Sequence, residues 1–204
     1  MLRLKSSSDR YGPIERLLHC VVAFIVIFLL LTGLFADVLP RGALRAQLYD
    51  IHRGLGVLAI PVFAARLVWR AIDTLPDPAG NLSRLERRLS NIVHAALLAL
   101  VVIQPVTGIA MYTLEGEAIA VFMLFSVPEA SIRAPDAAAL LRWIHETGAI
   151  ALYVVLALHV GGALKHLLVK RDGVFARMWG TPRTETEGSR RQAHELGRTT
   201  TLKS

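Results

Sequence analysis

His145 and His159 stand fourteen residues apart in RWIHETGAIALYVVLALHVGGALKHLLVK, a stretch long and apolar enough to cross a bilayer. Fourteen residues of α-helix advance ~21 Å and rotate to within about 40° of whole turns. The two imidazoles therefore share one helix face at two different depths. Ionisable side chains inside a membrane span are costly and mark functional positions. Histidine pairs stacked at two depths suit electron transfer through two haems, each iron taking one imidazole from either side.

Something must hold these imidazoles in place, and the composition says what kind of scaffold it is. The chain has 204 residues, of which 53% are hydrophobic and only 19% charged, and its mean hydropathy is +0.47. That balance is of an integral membrane protein, one domain by length. The net charge of +7 does not point to nucleic acid. The cations cluster beside apolar spans and read as topology signals and contacts to anionic lipid. A single cysteine, Cys20, excludes a structural disulfide and any cysteine-rich iron–sulfur or zinc centre; it reads as a small buried residue. The basic MLRLKSSSDR start resembles a signal n-region, but no small-residue cleavage site follows its overlong apolar run, so the first helix is expected to be retained.

Four apolar segments fall at about 14–39, 50–70, 90–112 and 143–169, each near the ~20 residues a spanning helix needs. The expected fold class is all-α, an integral membrane four-helix bundle. The run DTLPDPAGN separates the second and third spans, and Pro105 and Gly108 are tolerable kink positions in the third. Between the third and fourth lies an acidic loop with Glu115, Glu117, Glu129 and Asp136. Its AIAVFMLF stretch is too short to span and is expected to rest at the interface. Arg3, Lys5, Arg10 and Arg16 precede the first span. Arg66, Arg70, Arg84, Arg87 and Arg88 flank the second loop, and Lys170, Arg171 and Arg177 follow the fourth span. The bias puts both termini in the cytoplasm, although Arg41, Arg45 and Arg53 in the first loop weaken it.

With that topology each histidine acquires a depth. His52 and His145 lie toward the outer side on different helices and form the outer pair. His159 lies toward the cytoplasm, where His19 and His94 both compete to face it; depth alone leaves the choice open. His166 sits at the cytoplasmic boundary, and His194 lies in the tail. Gly54, Gly56, Gly148, Gly161 and Gly162 follow the histidines and would let a flat macrocycle approach, though glycine is also common in ordinary membrane-helix packing. Arg66, fourteen residues after His52, either meets the propionates of an inner haem or snorkels to the surface. Arg53 and Arg142 are further propionate-partner candidates, and their charge could steer a small anion to the outer face. A lone histidine in such a helix is often only an interhelical hydrogen-bonding group; five in two depth layers are harder to explain that way. A zinc or proton-relay site would favour a tight i, i+4 pair or acidic ligands at one depth, and apart from Glu146 the spans offer neither.

Four blocks carry a family resemblance: RLLHCVVAFIVIFLLLTG, YDIHRGLGVLAIPVFAARLVWR, VHAALLALVVIQPVTGIAMY and WIHETG…ALHVGGALKHLLVKRDGVFARMWG. They resemble the bacterial cytochrome b561 family, which is related to the cytochrome b subunits of hydrogenases. The resemblance covers about residues 10–180. It implies a cytochrome b561-like transmembrane domain over 1–180 and leaves 181–204 as a polar tail without fixed structure. It implies two haem b groups, with axial ligands His19 and His159 for the inner one and His52 and His145 for the outer. His94 and His166 match further family histidines and are expected near a quinone pocket. It further implies a multi-pass protein of the bacterial cytoplasmic (inner) membrane. Such a protein passes electrons from a small reductant, superoxide being one such donor, to ubiquinone or another quinone. The alternative is a membrane anchor that relays electrons to or from a docked dehydrogenase or hydrogenase, with loop 113–142 as the docking surface. A third reading is a haem-free bundle.

Overall fold

The computed structural model describes residues 4–7, 10–74, 76, 82–171 and 174–179; the tail expected to lack fixed structure, 181–204, lies outside them. The chain forms α1 (Pro13–Val38), α2 (Ala43–Ile72), α3 (Arg84–Leu114), β1 (Ile119–Val121), β2 (Phe125–Val127), α4 (Pro135–Leu164) and α5 (Val174–Trp179), with α4 continued by a π-helical segment, Lys165–Lys170. Four helices are long and apolar enough to cross a membrane. Large apolar side chains such as Phe24, Ile27, Val68, Ile103 and Ile150 point outward and stay exposed, as a bundle solvated by lipid tails allows.

The closest pairings are α1 with α2 and α3 with α4, so the bundle is two helical hairpins side by side. Val26 and Leu30 of α1, Ala59 and Phe63 of α2, Val101 of α3 and Leu152 of α4 meet at mid-height as one apolar core. Tyr153 donates to the Leu30 carbonyl at 2.6 Å, tying α4 to α1 at the same level.

Helix limits differ from apolar length alone where polar turns extend a helix beyond the hydrocarbon. α2 begins at Ala43, seven residues before the expected 50, because LRAQLYD is helical though polar. α3 begins at Arg84 because Ser83 and Glu86 form a reciprocal capping box, with Glu86 N–H donating to Ser83 Oγ at 3.2 Å and Ser83 N–H to Glu86 at 3.0 Å. α4 starts at Pro135, whose missing N–H costs nothing in a first turn.

The AIAVFMLF stretch, expected as an interfacial segment, is largely an antiparallel β-hairpin with Ile119 opposite Val127. Its strands satisfy each other's backbone groups, and Ile119 and Val121 are buried. The hairpin lies on α2 at Gly54, where an added Cβ would stand 3.3 Å from the Ala120 carbonyl oxygen and the Phe122 ring.

We call the end carrying this hairpin the hairpin face. At the opposite, terminal face, residues 4–7 strap across the helix ends. Ser6 N–H and Oγ donate to the Asp73 carboxylate at 3.0 and 2.5 Å, Lys5 Nζ to the Ile72 carbonyl at 3.2 Å, and Gly12 N–H to Ser6 Oγ at 2.9 Å. A Cβ at Gly12 would sit 2.6 Å from Leu4 backbone. Burial alone would raise the Asp73 pKa, but the Ser6 hydroxyl and amide, the Thr74 amide and Lys5 outweigh it and hold the carboxyl below its ordinary value.

Candidate functional site

α2 brings His52, and α4 brings His145, to the same level near the hairpin face. Their rings face each other with centroids 6.2 Å apart, nearly edge to face. Each ring is fixed from behind by the other helix of its own hairpin. His52 Nδ1 lies 3.0 Å from the Leu29 carbonyl and 3.3 Å from Thr32 Oγ1 on α1. His145 Nδ1 lies 3.0 Å from the Gln104 carbonyl and 3.2 Å from Thr107 Oγ1 on α3. A carbonyl can only accept, so Nδ1 carries the proton in both rings, and Nε2 keeps its lone pair toward the bundle interior. That is the tautomer a metal-binding imidazole needs.

The approach is possible because glycine follows each threonine. A Cβ at Gly33 would stand 3.2 Å from His52 Cε1, and one at Gly108 would stand 3.0 Å from His145 Cε1. Gln104 adds a second tie, its Nε2 donating to the His145 carbonyl at 3.1 Å across Gly148. The Thr-Gly pairs 32–33 and 107–108 had no role in the sequence-based site, yet they leave a signal. His19 precedes Thr32 by thirteen residues and His94 precedes Thr107 by thirteen. His52 precedes Arg66 by fourteen, as His145 precedes His159. The two helical hairpins thus repeat one pattern, with arginine in α2 where α4 has its second histidine.

Near the terminal face His159 meets two imidazoles. Its ring centroid lies 6.0 Å from that of His19 and 5.1 Å from that of His94. His94 Nδ1–H donates to the Ser90 carbonyl of its own helix at 2.7 Å, and the residue is exposed at the bundle surface. His166 lies in the π-helical segment, half-buried. Lys165 and Lys170 of that segment both reach Glu86 at the start of α3, at 3.0 and 2.7 Å.

The arginines have protein partners. Arg66 does not snorkel: it is buried and ion-paired with Glu15, with Arg70 also 4.0 Å from that carboxylate. Arg53 pairs with Asp50 at 2.8 Å and lies over the Tyr112 ring at 4.3 Å. Arg142 donates to Glu115 at 2.5 Å. Of the glycines expected to admit a macrocycle, Gly54 is covered by the hairpin and Gly148 by Gln104, because protein fills those approaches. Gly56, Gly161 and Gly162 have no described neighbour within 4 Å of an added Cβ. Among the described residues no cluster of three or more His, Cys, Asp or Glu side chains suits a bare metal ion.

The chain matches the family model described as prokaryotic cytochrome b561 over residues 10–181. It is 29% identical over 180 residues to cytochrome b561 homolog 2 of Escherichia coli (strain K12), covering 86% of this chain and 94% of that protein. It is 23% identical over 171 residues to cytochrome b561 homolog 1 of the same organism, covering 83% and 97%.

Proposed function

The chain belongs to the prokaryotic cytochrome b561 family, a multi-pass bacterial inner-membrane b-type cytochrome of electron transfer, and on that premise we propose that it holds two haem b groups, one per histidine layer. His52 and His145 would ligate the group near the hairpin face, and His19 and His159 the one near the terminal face. The observation that carries this reading is the ring spacing. Two metal–nitrogen bonds of roughly 2 Å, extended to the ring centres, separate two axial imidazoles by about 6 Å. The 6.2 Å and 6.0 Å pairs fit that span, and the 5.1 Å His94–His159 pair is too close. The Nδ1–carbonyl bonds of His52 and His145 add the required tautomer. Bound haem supplies a one-electron carrier at each level.

The protein's own groups then divide the work. α1 and α3 orient the hairpin-face imidazoles through carbonyl and threonine contacts. The apolar core around Phe63 and Leu152 keeps water from between the layers. Arg53 and Arg142, each paired with a carboxylate, lie at the hairpin face, where a small reductant such as superoxide would arrive. His94, with Nδ1 committed to Ser90, keeps Nε2 free to accept a proton or hydrogen bond at the bundle surface, where a membrane quinone is within reach; His166 is its companion candidate. The cations around the terminal face support a cytoplasmic position for both termini.

The test is a reduced-minus-oxidised visible spectrum with haem counted per protein, followed by a superoxide pulse with and without ubiquinone. Two haems, reduced by the pulse and reoxidised by quinone, support the reading. A spectrum without a b-type band sinks it, and haems indifferent to superoxide exclude that donor.

A second reading, an anchor relaying electrons of a docked dehydrogenase or hydrogenase, draws support from one feature. The loop after α3 is an ordered hairpin whose tip, Phe122 to Phe125, is exposed and apolar. Co-purification of a stoichiometric redox enzyme from native membranes would favour it.

A further inference from the structure

The two layers differ in their fixed charge. Glu15 precedes His19 by one turn of α1, roughly 6 Å along the axis and on the same face. It is 1% exposed, and its carboxylate is held between Arg66 and Arg70 of α2. One carboxylate and two guanidiniums leave one net positive charge beside the His19–His159 layer. Arginine does not lose its proton in proteins, so the surplus is permanent. At the other layer Arg53 pairs with Asp50 and Arg142 with Glu115, and Glu146 beside His145 adds a further carboxylate, so these groups leave no surplus positive charge there. There both imidazoles also donate Nδ1–H to carbonyls. The repeated spacing locates the break in symmetry at Arg66, which occupies in α2 the place His159 holds in α4.

We propose that the Glu15–Arg66–Arg70 cluster makes the redox group of the His19–His159 layer the more easily reduced of the two. An electron then runs downhill from the hairpin face to the terminal face. This rests on the two-haem reading above. Gaining an electron lowers the charge of a site by one, so a buried, poorly screened cation beside it favours the reduced form. A carbonyl accepting Nδ1–H makes an imidazole a more basic ligand, which favours the oxidised form. The two effects act on different layers and separate them in the same sense. In each transfer the hairpin-face group loses one electron and is oxidised, and the terminal-face group gains it and is reduced.

A potentiometric titration of the haem-loaded protein, followed in the visible spectrum, tests the idea. Wild type should titrate in two one-electron waves. The His52→Ala variant, holding only the terminal-face group, identifies that wave as the higher. Glu15→Gln keeps the side-chain shape but removes the negative charge. It should raise the higher wave by about tenfold in equilibrium constant, about 59 mV, and leave the lower wave in place. Adding Arg66→Gln to it restores the net charge and should return the wave toward wild type. Arg70→Gln, at the looser and more exposed contact, should lower the same wave by a smaller amount, and it serves if Glu15→Gln does not fold. The proposal is overturned if the His52→Ala wave is the lower one. It is also overturned if charge changes at 15, 66 or 70 leave the higher wave unmoved, or if both waves shift alike. Two waves without that response sink the proposal and spare the two-haem reading; absence of haem from wild type sinks both.

Discussion

His52 and His145 are held by contacts that repeat atom for atom: a helix carbonyl on Nδ1, a threonine hydroxyl beside it, and a glycine under the ring. Their replacement by alanine, one at a time, should each lower the haem count from two to one, with the same haem lost. His19→Ala and His159→Ala should lose the other. His94→Ala and His166→Ala should keep both while slowing quinone reduction. If His94→Ala loses a haem and His19→Ala does not, the terminal-face pair is His94 with His159. Gly108→Val tests the support rather than the ligand. Its side chain would enter the space of the His145 ring, which at Gly108 already stands 3.0 Å from an added Cβ. Loss of a supporting contact typically costs about 10–100-fold in metal affinity, so haem dissociation from the hairpin-face layer should quicken by a similar factor. Gly42→Ala, where an added Cβ meets nothing, should change nothing.

Among the elements, the terminal strap and the π-helical segment each tie together the two helices of one hairpin at the terminal face, α1 to α2 and α4 to α3. Residues five apart on an α-helix point about 140° from each other; the wider π-helical turn brings Lys165 and Lys170 to one side, where both grip Glu86. The strap depends on an ionised Asp73. Its folded pKa lies below the unfolded value, so the strap's contribution is complete above about pH 4 and is lost as pH falls through the folded pKa. Melting temperatures in detergent should therefore show wild type above Asp73→Asn at pH 6, with the gap closing as the pH is lowered past 4. An equal gap at pH 6 and pH 3 would show that Asp73 ionisation does not stabilise the fold. On the other face, Gly54→Leu should unseat the hairpin, costing about 1–3 kcal/mol as an overpacked contact. Faster protease cleavage within 116–134, with the spans intact, would register it.

For the whole molecule, orientation is the property on which the direction of electron flow depends. Both termini at the cytoplasmic side would place the hairpin outside. Single cysteines introduced at Met123, fully exposed at the hairpin tip, and at Arg87 should then react with an impermeant maleimide in opposite fashion in a Cys20→Ser background. The first should label in intact spheroplasts and the second only after lysis. The reverse pattern would invert the proposed route.

Hydropathy and the positions of His52, His145 and His159 were enough to establish a four-span bundle with histidines at two depths, because a helix has a constant rise and a bilayer a nearly constant thickness. α1, Pro13–Val38, accordingly lies within a residue of the segment read from apolarity, 14–39. Polar helix ends were less legible, since LRAQLYD at the start of α2 is helical without being apolar, and the hairpin was hidden because AIAVFMLF is as apolar as a membrane-surface segment. What the tertiary structure alone decided is which groups stand beside each imidazole. Leu29, Thr32 and Gly33 are 19 to 23 residues from His52, and Gln104, Thr107 and Gly108 are 37 to 41 from His145. The contact is made by a backbone carbonyl, which every residue carries and no sequence pattern marks. The snorkelling reading of Arg66 likewise fell only when the packing of α1 against α2 placed the buried Glu15 against it.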